Sequence, residues 1–278
     1  MSVELGHTMT RASRSIGRFG ALWLLACSVP PLSMVVSIMV NVDASAWPSI
    51  SMPLVRALAA DARLYCAGFI TIAAPLAGVA VAWSRKSPGV KAHHGLSRGA
   101  GSEALATARP LVVAVVLFTA VSALLNLSLA DAPGAAELTA TSHATLAAVA
   151  LALAVFGAFC GAAFADPLDG AACSLGLVLL ASAGVLVAGA SLELVPPRFI
   201  DLALTASPLV AMTSAARIDI LRMDVLYQIS PLAHVQVDYP TWYAASGWFL
   251  VVAFSCFLGL VWTCGVTRTA TARCKDSA

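Results

Sequence analysis

The chain has 278 residues, 60% of them hydrophobic and 11% charged. A soluble domain carries about 25% charged residues, so this composition excludes a water-soluble globular class. The net charge of +2, with no basic run interleaved with aromatics, argues against a nucleic-acid partner.

A segment crossing a bilayer needs about 20 apolar residues, and six qualify in chain order. Residues 1–18 form a short polar segment carrying Arg11, Arg14 and Arg18. The first span is Phe19–Val40, interrupted by Pro30–Pro31. Its apolar run exceeds the roughly 7–15 residues of a signal-peptide h-region, so it is expected to be retained although Ala44–Ala46 resembles a cleavage site. The second span is Tyr65–Trp83, with Pro75 expected to kink it. A connection over Ser84–Pro110 follows, Gly- and Ser-rich and basic in its first half. Its second half suits a short helix: Ser102 in capping position, Glu103 at the positive end of the helix dipole, and Ala104–Ala108 as good formers. This stretch reads either as a docking helix for a cytoplasmic partner or as a basic loop beside anionic headgroups. The adjacent His93–His94 lack an evident third ligand for a metal site.

The third span, Pro110–Ala130, carries Thr119, Ser122 and Asn126 at i, i+3 and i+7, hence on one face. These residues either line a substrate path or hydrogen-bond across packed helices. The fourth and fifth spans, Ala144–Ala165 and Ala171–Leu192, are separated by "ADPLDG", whose two carboxylates, Pro and Gly read as a tight turn. Small residues beside that turn, Gly157, Cys160, Gly161, Ala163 and Gly170–Ala172, suit a close helical hairpin. His143 at the mouth of the fourth span reads as a solvated or capping histidine. A haem ligand needs a second feature that is missing.

Prolines at 196, 197, 208, 231 and 240 divide the next connection, 196–240. Val210, Ile218, Leu221, Val225 and Ile229 recur there at roughly helical spacing. The spacing predicts one helix before Pro208 and a longer one after it. Asp219 and Arg222 are placed to pair at i, i+3. The sixth span is Trp242–Val266, followed by a tail over 267–278.

Orientation follows from lysine and arginine. With the N-terminus inside, eleven of the sixteen basic residues, including all three lysines, face the cytoplasm. The sequence therefore predicts an all-α membrane protein with six transmembrane helices, both ends inside. Residues 19–266 form the membrane domain, with a re-entrant or interfacial helical cap between the fifth and sixth helices. Arg217, Asp219, Arg222 and Asp224 would then face water or the outer vestibule. A span through Phe199–Leu221 is disfavoured, since it would bring Asp201, Arg217 and Asp219 to membrane depth.

No ionisable residue falls deep in these six spans, which counts against a proton-coupled carrier. No Walker A pattern, HExxH motif or Ser-His-Asp order occurs, so no catalytic site of the chain's own is expected. The cysteines, Cys27, Cys66, Cys160, Cys173, Cys256, Cys264 and Cys274, form no CxxC pair and sit mostly in apolar runs. They read as small buried hydrophobes.

The six-helix layout, the cytoplasmic connection at 84–110 and the hairpin text "FADPLDGAACSLG" form one part of a likeness. The short outer helices, with "SPLVAMTSAARIDILRMDVLYQISPLAH" and "YPTWY", form the other. Together they resemble the permease subunits of ABC-2-type transporters over most of the chain. The resemblance implies a bacterial inner-membrane location and two permease subunits, identical or different, each with a separate ATP-binding cassette ATPase. ATP would be bound on the partner chain, with no cofactor on this one. Force would enter through the 84–110 loop, with Arg98, Ser102 and Glu103 as coupling candidates, and through residues 2–18. It implies a transport subunit, with export as the expected direction, rather than an enzyme. The alternative is a membrane scaffold or sensor subunit without transport.

Overall fold

The computed structural model describes residues 52–86, 99–128, 134–187, 196–220 and 238–276. The expected first span, Phe19–Val40, lies outside them, as do Arg98, Arg222 and Asp224. Seven helices are described in chain order: α1 (Met52–Lys86), α2 (Ala100–Ser128), α3 (Ala135–Ala163), α4 (Pro167–Val187), α5 (Pro197–Ala206), α6 (Pro208–Ala215) and α7 (Trp242–Asp276). Five of these, α1–α4 and α7, are long and apolar enough to cross a membrane. The chain is a multi-pass membrane protein.

Helix boundaries differ from the sequence expectation in several places: α1 begins at Met52, ahead of Tyr65, and α7 runs on to Asp276, past Val266, while the changes at α2 and α3 have local reasons. α2 begins at Ala100 and runs unbroken through Pro110, so the short helix and the third span are one element. Pro110 costs this helix one hydrogen bond, a loss that membrane helices accommodate through neighbouring groups. Ser102 does not cap it. Gly99 is the first carbonyl of the helix, accepting from Ser102 and Glu103 N–H at 3.0 and 3.3 Å. The Ser102 hydroxyl donates to that same carbonyl at 2.7 Å.

α3 begins nine residues before the expected Ala144, after Gly134 at φ 82°. Its early turns carry hydroxyls that satisfy themselves on the helix's own backbone: Thr141 Oγ1 donates to the Glu137 carbonyl at 3.0 Å and Thr145 Oγ1 to that of Thr141 at 3.1 Å. A hydroxyl bonded to its own preceding turn no longer opposes burial.

The α3–α4 turn forms as the sequence predicts. The Phe164 N–H closes α3 on the Cys160 carbonyl at 3.0 Å. Asp166 Oδ1 then accepts the Leu168 N–H at 2.8 Å, and Pro167 takes the first helical position of α4, where its missing N–H costs nothing.

α3 is the central helix. In its span 61% of the stretch is buried, against 17% for α7, and α1, α2, α4, α6 and α7 all pack on it. The tightest seam joins α1 to α3. A Cβ built at Gly157 falls 2.0 Å from the Pro75 carbonyl oxygen, and one built at Gly78 falls 2.0 Å from the Ala154 carbonyl oxygen. Gly161 meets Val79 Cα at 2.9 Å. Gly157 and Gly161 therefore bring α1 against α3, while the hairpin partner is Gly170, seated 3.3 Å from the Cys160 carbonyl and Gly161 Cα. Absent side chains let backbones interlock where lipid supplies no hydrophobic drive between helices.

α5 and α6 pack beside these helices. Ser207, between them, is fully buried; its hydroxyl accepts the Val210 N–H at 3.4 Å and donates to the Ser182 carbonyl of α4 at 3.3 Å. α6 buries most of its surface against α1, α3, α4 and α7. It is shorter than the sequence spacing predicts. The helix closes at Ala215, Arg217 enters the left-handed region at φ 57°, and Ile218 N–H returns to the Thr213 carbonyl at 2.9 Å. This is a helix-stop geometry in which glycine usually takes the left-handed position.

Candidate functional site

Polar side chains collect where α2, α3 and α7 meet, toward the C-terminal end of α2 and the N-terminal ends of α3 and α7. Thr119, Ser122, Thr139, Ser142, His143 and Thr145 are all buried. His143 lies in the second turn of a span that begins at Ala136. It is neither solvated nor a cap: 8% of its surface is exposed.

Its hydrogen bonds fix its chemistry. Nδ1 lies 2.8 Å from the Thr139 carbonyl oxygen, which can only accept, so Nδ1 carries the proton. In the neutral imidazole Nε2 is then the acceptor, and the Ser122 hydroxyl, 3.1 Å away on α2, donates to it. Ser142 Oγ donates to the same Thr139 carbonyl at 3.1 Å. On the flank of α3 facing α7, Thr145 Oγ1 and Ser246 Oγ are 3.0 Å apart. The central helix is thus joined by side-chain hydrogen bonds to both neighbours.

The three residues predicted to share a face of the third span separate in role. Thr119 Oγ1 donates to the Val115 carbonyl of its own helix at 2.8 Å. Ser122 reaches across to α3. The Asn126 side chain lies outside the described residues.

Hydropathy alone does not mark His143 as a buried group. A signal is present in "TATSHAT" (Thr139–Thr145), where Thr139, Ser142 and His143 fall on one face of a helix. What the arrangement can do is hold a neutral imidazole and a polarised serine hydroxyl inside an apolar bundle. Among the described residues, Thr139 Oγ1 and Ser182 Oγ are buried without a hydrogen-bond partner, and no group of three or more His, Cys, Asp or Glu is arranged to hold a metal ion.

Among the coupling candidates, Ser102 and Glu103 are exposed in the first turn of α2. Among the outer candidates, Arg217 and Asp219 lie just past α6, Arg217 exposed and Asp219 bonded to the chain that enters α7. The Tyr239 hydroxyl donates to the Asp219 carboxylate, and Ser214 Oγ donates to the Pro240 carbonyl at 2.8 Å. Two hydrogen bonds therefore tie the exit of α6 to the segment entering α7.

Comparison with protein-family models, with curated proteins and with solved structures finds no match to this chain.

Proposed function

We propose that the chain is the membrane-spanning permease subunit of an ATP-driven transporter of the ABC-2 type, an exporter in a bacterial inner membrane, working as a dimer with separate ATPase subunits. The observation that carries this reading is the order of elements: a tight hairpin of two spans, two short helices tucked against the bundle, then a last span. That order is the one the resemblance implies. The charged residues of the described spans support it as well. Arg85, Glu103, Glu137 and Asp169 lie toward the ends of their spans, Arg109 lies about three turns into α2, and α7 carries none between Trp242 and Val266. Energy for a transport cycle would then come from another chain.

In this reading α1 and α2 meet the cytoplasm through residues 84–99, and the first turn of α2 receives force from the ATPase. Because α2 is one continuous helix from Ala100 to Ser128, a push at Glu103 is delivered along its axis to Ser122. Thr119, Ser122 and Asn126 are the substrate-path candidates.

The test is co-purification of the tagged chain from its native membrane. An ATP-binding cassette ATPase should accompany it, and Glu103→Lys should lower the ATPase activity stimulated by the chain by about tenfold, the equivalent of ~1.4 kcal/mol at the contact. Recovery without any ATPase would favour the alternative, a scaffold or sensor subunit.

The α5–α6 pair caps the outer end in this arrangement. Cysteines replacing Arg217 or Asp219 should react with a membrane-impermeant maleimide added to right-side-out vesicles. Labelling only after the vesicles are opened would overturn the orientation.

A further inference from the structure

α5 presents three different sides along its whole length. At about 100° per residue, Ile200 and Leu204 fall on one side, Arg198, Asp201 and Thr205 on a second, and Phe199, Leu202 and Ala206 on a third. The first side is buried in a small cluster with Val210 of α6 and Ile220, on which Leu64 of α1 and Tyr239 also pack. The second side is polar, with Arg198 and Asp201 exposed. The third is apolar and equally open: Phe199 is 61% exposed and Leu202 50%. A helix of this length rises about 15 Å, half of what a span requires, so these open side chains do not belong to a crossing helix. Neighbouring elements fix the level of α5. Ser207, directly after it, bonds the Ser182 carbonyl of α4 at 3.3 Å, close to the end of that span at Gly184. Tyr239, on its buried side, stands just ahead of α7, whose first residues Trp242 and Tyr243 are 44% and 65% exposed. Tryptophan and tyrosine favour the headgroup level.

We propose that α5 lies flat in the interface of one leaflet with phospholipid covering its third side. Phe199 and Leu202 enter the acyl chains beneath the headgroups, and Arg198 and Asp201 face water. Both open sides run the full length of the helix, so the boundary between lipid and water is parallel to its axis. A helix standing along the membrane normal would change polarity from end to end instead. Amphipathic helices with one apolar and one charged side lie in the interface plane. Arg198 neighbours Leu202 around the helix, at the edge between the two open sides, which is the level at which a guanidinium meets lipid phosphate. α6 takes the other course: most of it is buried among α1, α3, α4 and α7. The placement needs a bilayer around the long helices but no ATPase and no transport, so its failure and that of the transporter reading are separable.

The test uses the full chain reconstituted in phosphatidylcholine vesicles, as four single variants: Phe199→Trp, Leu202→Trp, Arg198→Trp and Asp201→Trp. The fluorescence of each added indole is the difference between the variant and the parent, which share the six native tryptophans. Two quenchers are compared: phosphatidylcholine brominated on acyl carbons near the headgroup, and iodide present on both sides of the membrane. Phe199→Trp and Leu202→Trp should lose most of their added emission in brominated vesicles and little of it to iodide. Arg198→Trp and Asp201→Trp should show the reverse order. Two positions on each side keep the comparison if one variant does not reconstitute. Added emission at 199 and 202 that iodide quenches and brominated lipid does not would place the apolar side in water. Emission that neither quenches would place another protein, or a second copy of this chain, upon it. Either result would overturn the proposal.

Discussion

Replacing Gly157 by alanine is expected to lower the thermal midpoint of the detergent-solubilised protein by roughly 6–12 °C, the equivalent of about 3 kcal/mol in a chain of this size. The added carbon would lie 2.0 Å from the Pro75 carbonyl oxygen, 2.7 Å from its carbon and 2.8 Å from its Cα. All three are backbone atoms, so no side chain can rotate away; α1 and α3 must separate. Gly78→Ala should act alike, because its Cβ would meet the Ala154 carbonyl oxygen at 2.0 Å and the Ala158 nitrogen at 2.5 Å. Gly68 and Gly176 provide matched controls. A Cβ at either meets nothing within 4 Å, and alanine there should be neutral or stabilising by up to about 1 kcal/mol from helix propensity. Equal midpoints for Gly157→Ala and Gly68→Ala would show that the α1–α3 seam is looser than these distances imply. The seam matters beyond stability, because α1 and α3 are the two most buried spans and the other elements are arranged around them.

The second large effect is expected at the buried imidazole. His143→Ala should destabilise by about 2–3 kcal/mol, through the lost hydrogen bonds and the space left behind. Ser122→Ala should cost about 1 kcal/mol. The two are partners at 3.1 Å across α2 and α3, so the double variant should lose less than the sum. A coupling of roughly 0.6–1.7 kcal/mol is the range for interhelical hydrogen bonds in membranes. Thr119→Val is the comparison, since Thr119 bonds within α2 and should show no coupling to His143. Strictly additive losses for Ser122 and His143 would mean that the pair does not hold the two helices together. In the transporter reading the same substitutions alter transport without altering ATPase recruitment, because the pair lies far along α2 from its first turn.

Much of the membrane character is legible in the amino-acid order alone. Five expected spans coincide with described long helices, since a run of about 20 apolar residues has few other stable fates. The hairpin turn is legible too, because Asp166 and Pro167 are local signals that act within a few residues. Boundaries are less legible wherever polarity stands in for helix ends. Thr141 and Ser142 suggest a stretch outside the span, yet hydroxyls that bond to their own helix extend it. Pro110 suggests a start, yet α2 passes through it. In the outer connection, apolar spacing suggests a long helix after Pro208, and the left-handed Arg217 ends it after two turns.

Pairing between helices is not legible at all. Gly157 and Gly161 suit the hairpin by their place in the chain, but their partners are Pro75 and Val79 on α1. His143 suits a wet helix mouth, but Ser122, 21 residues earlier, meets it in the core. The sequence by itself determined that the chain crosses the membrane, where most of its helices run and where it turns back. Those properties depend on backbone hydrogen bonds closed within one segment and on apolar length. Tertiary structure decided which face of each helix meets which neighbour, because that choice rests on shape fit between segments far apart in the chain. In a chain apolar on nearly every face, hydrophobic periodicity cannot mark it in advance.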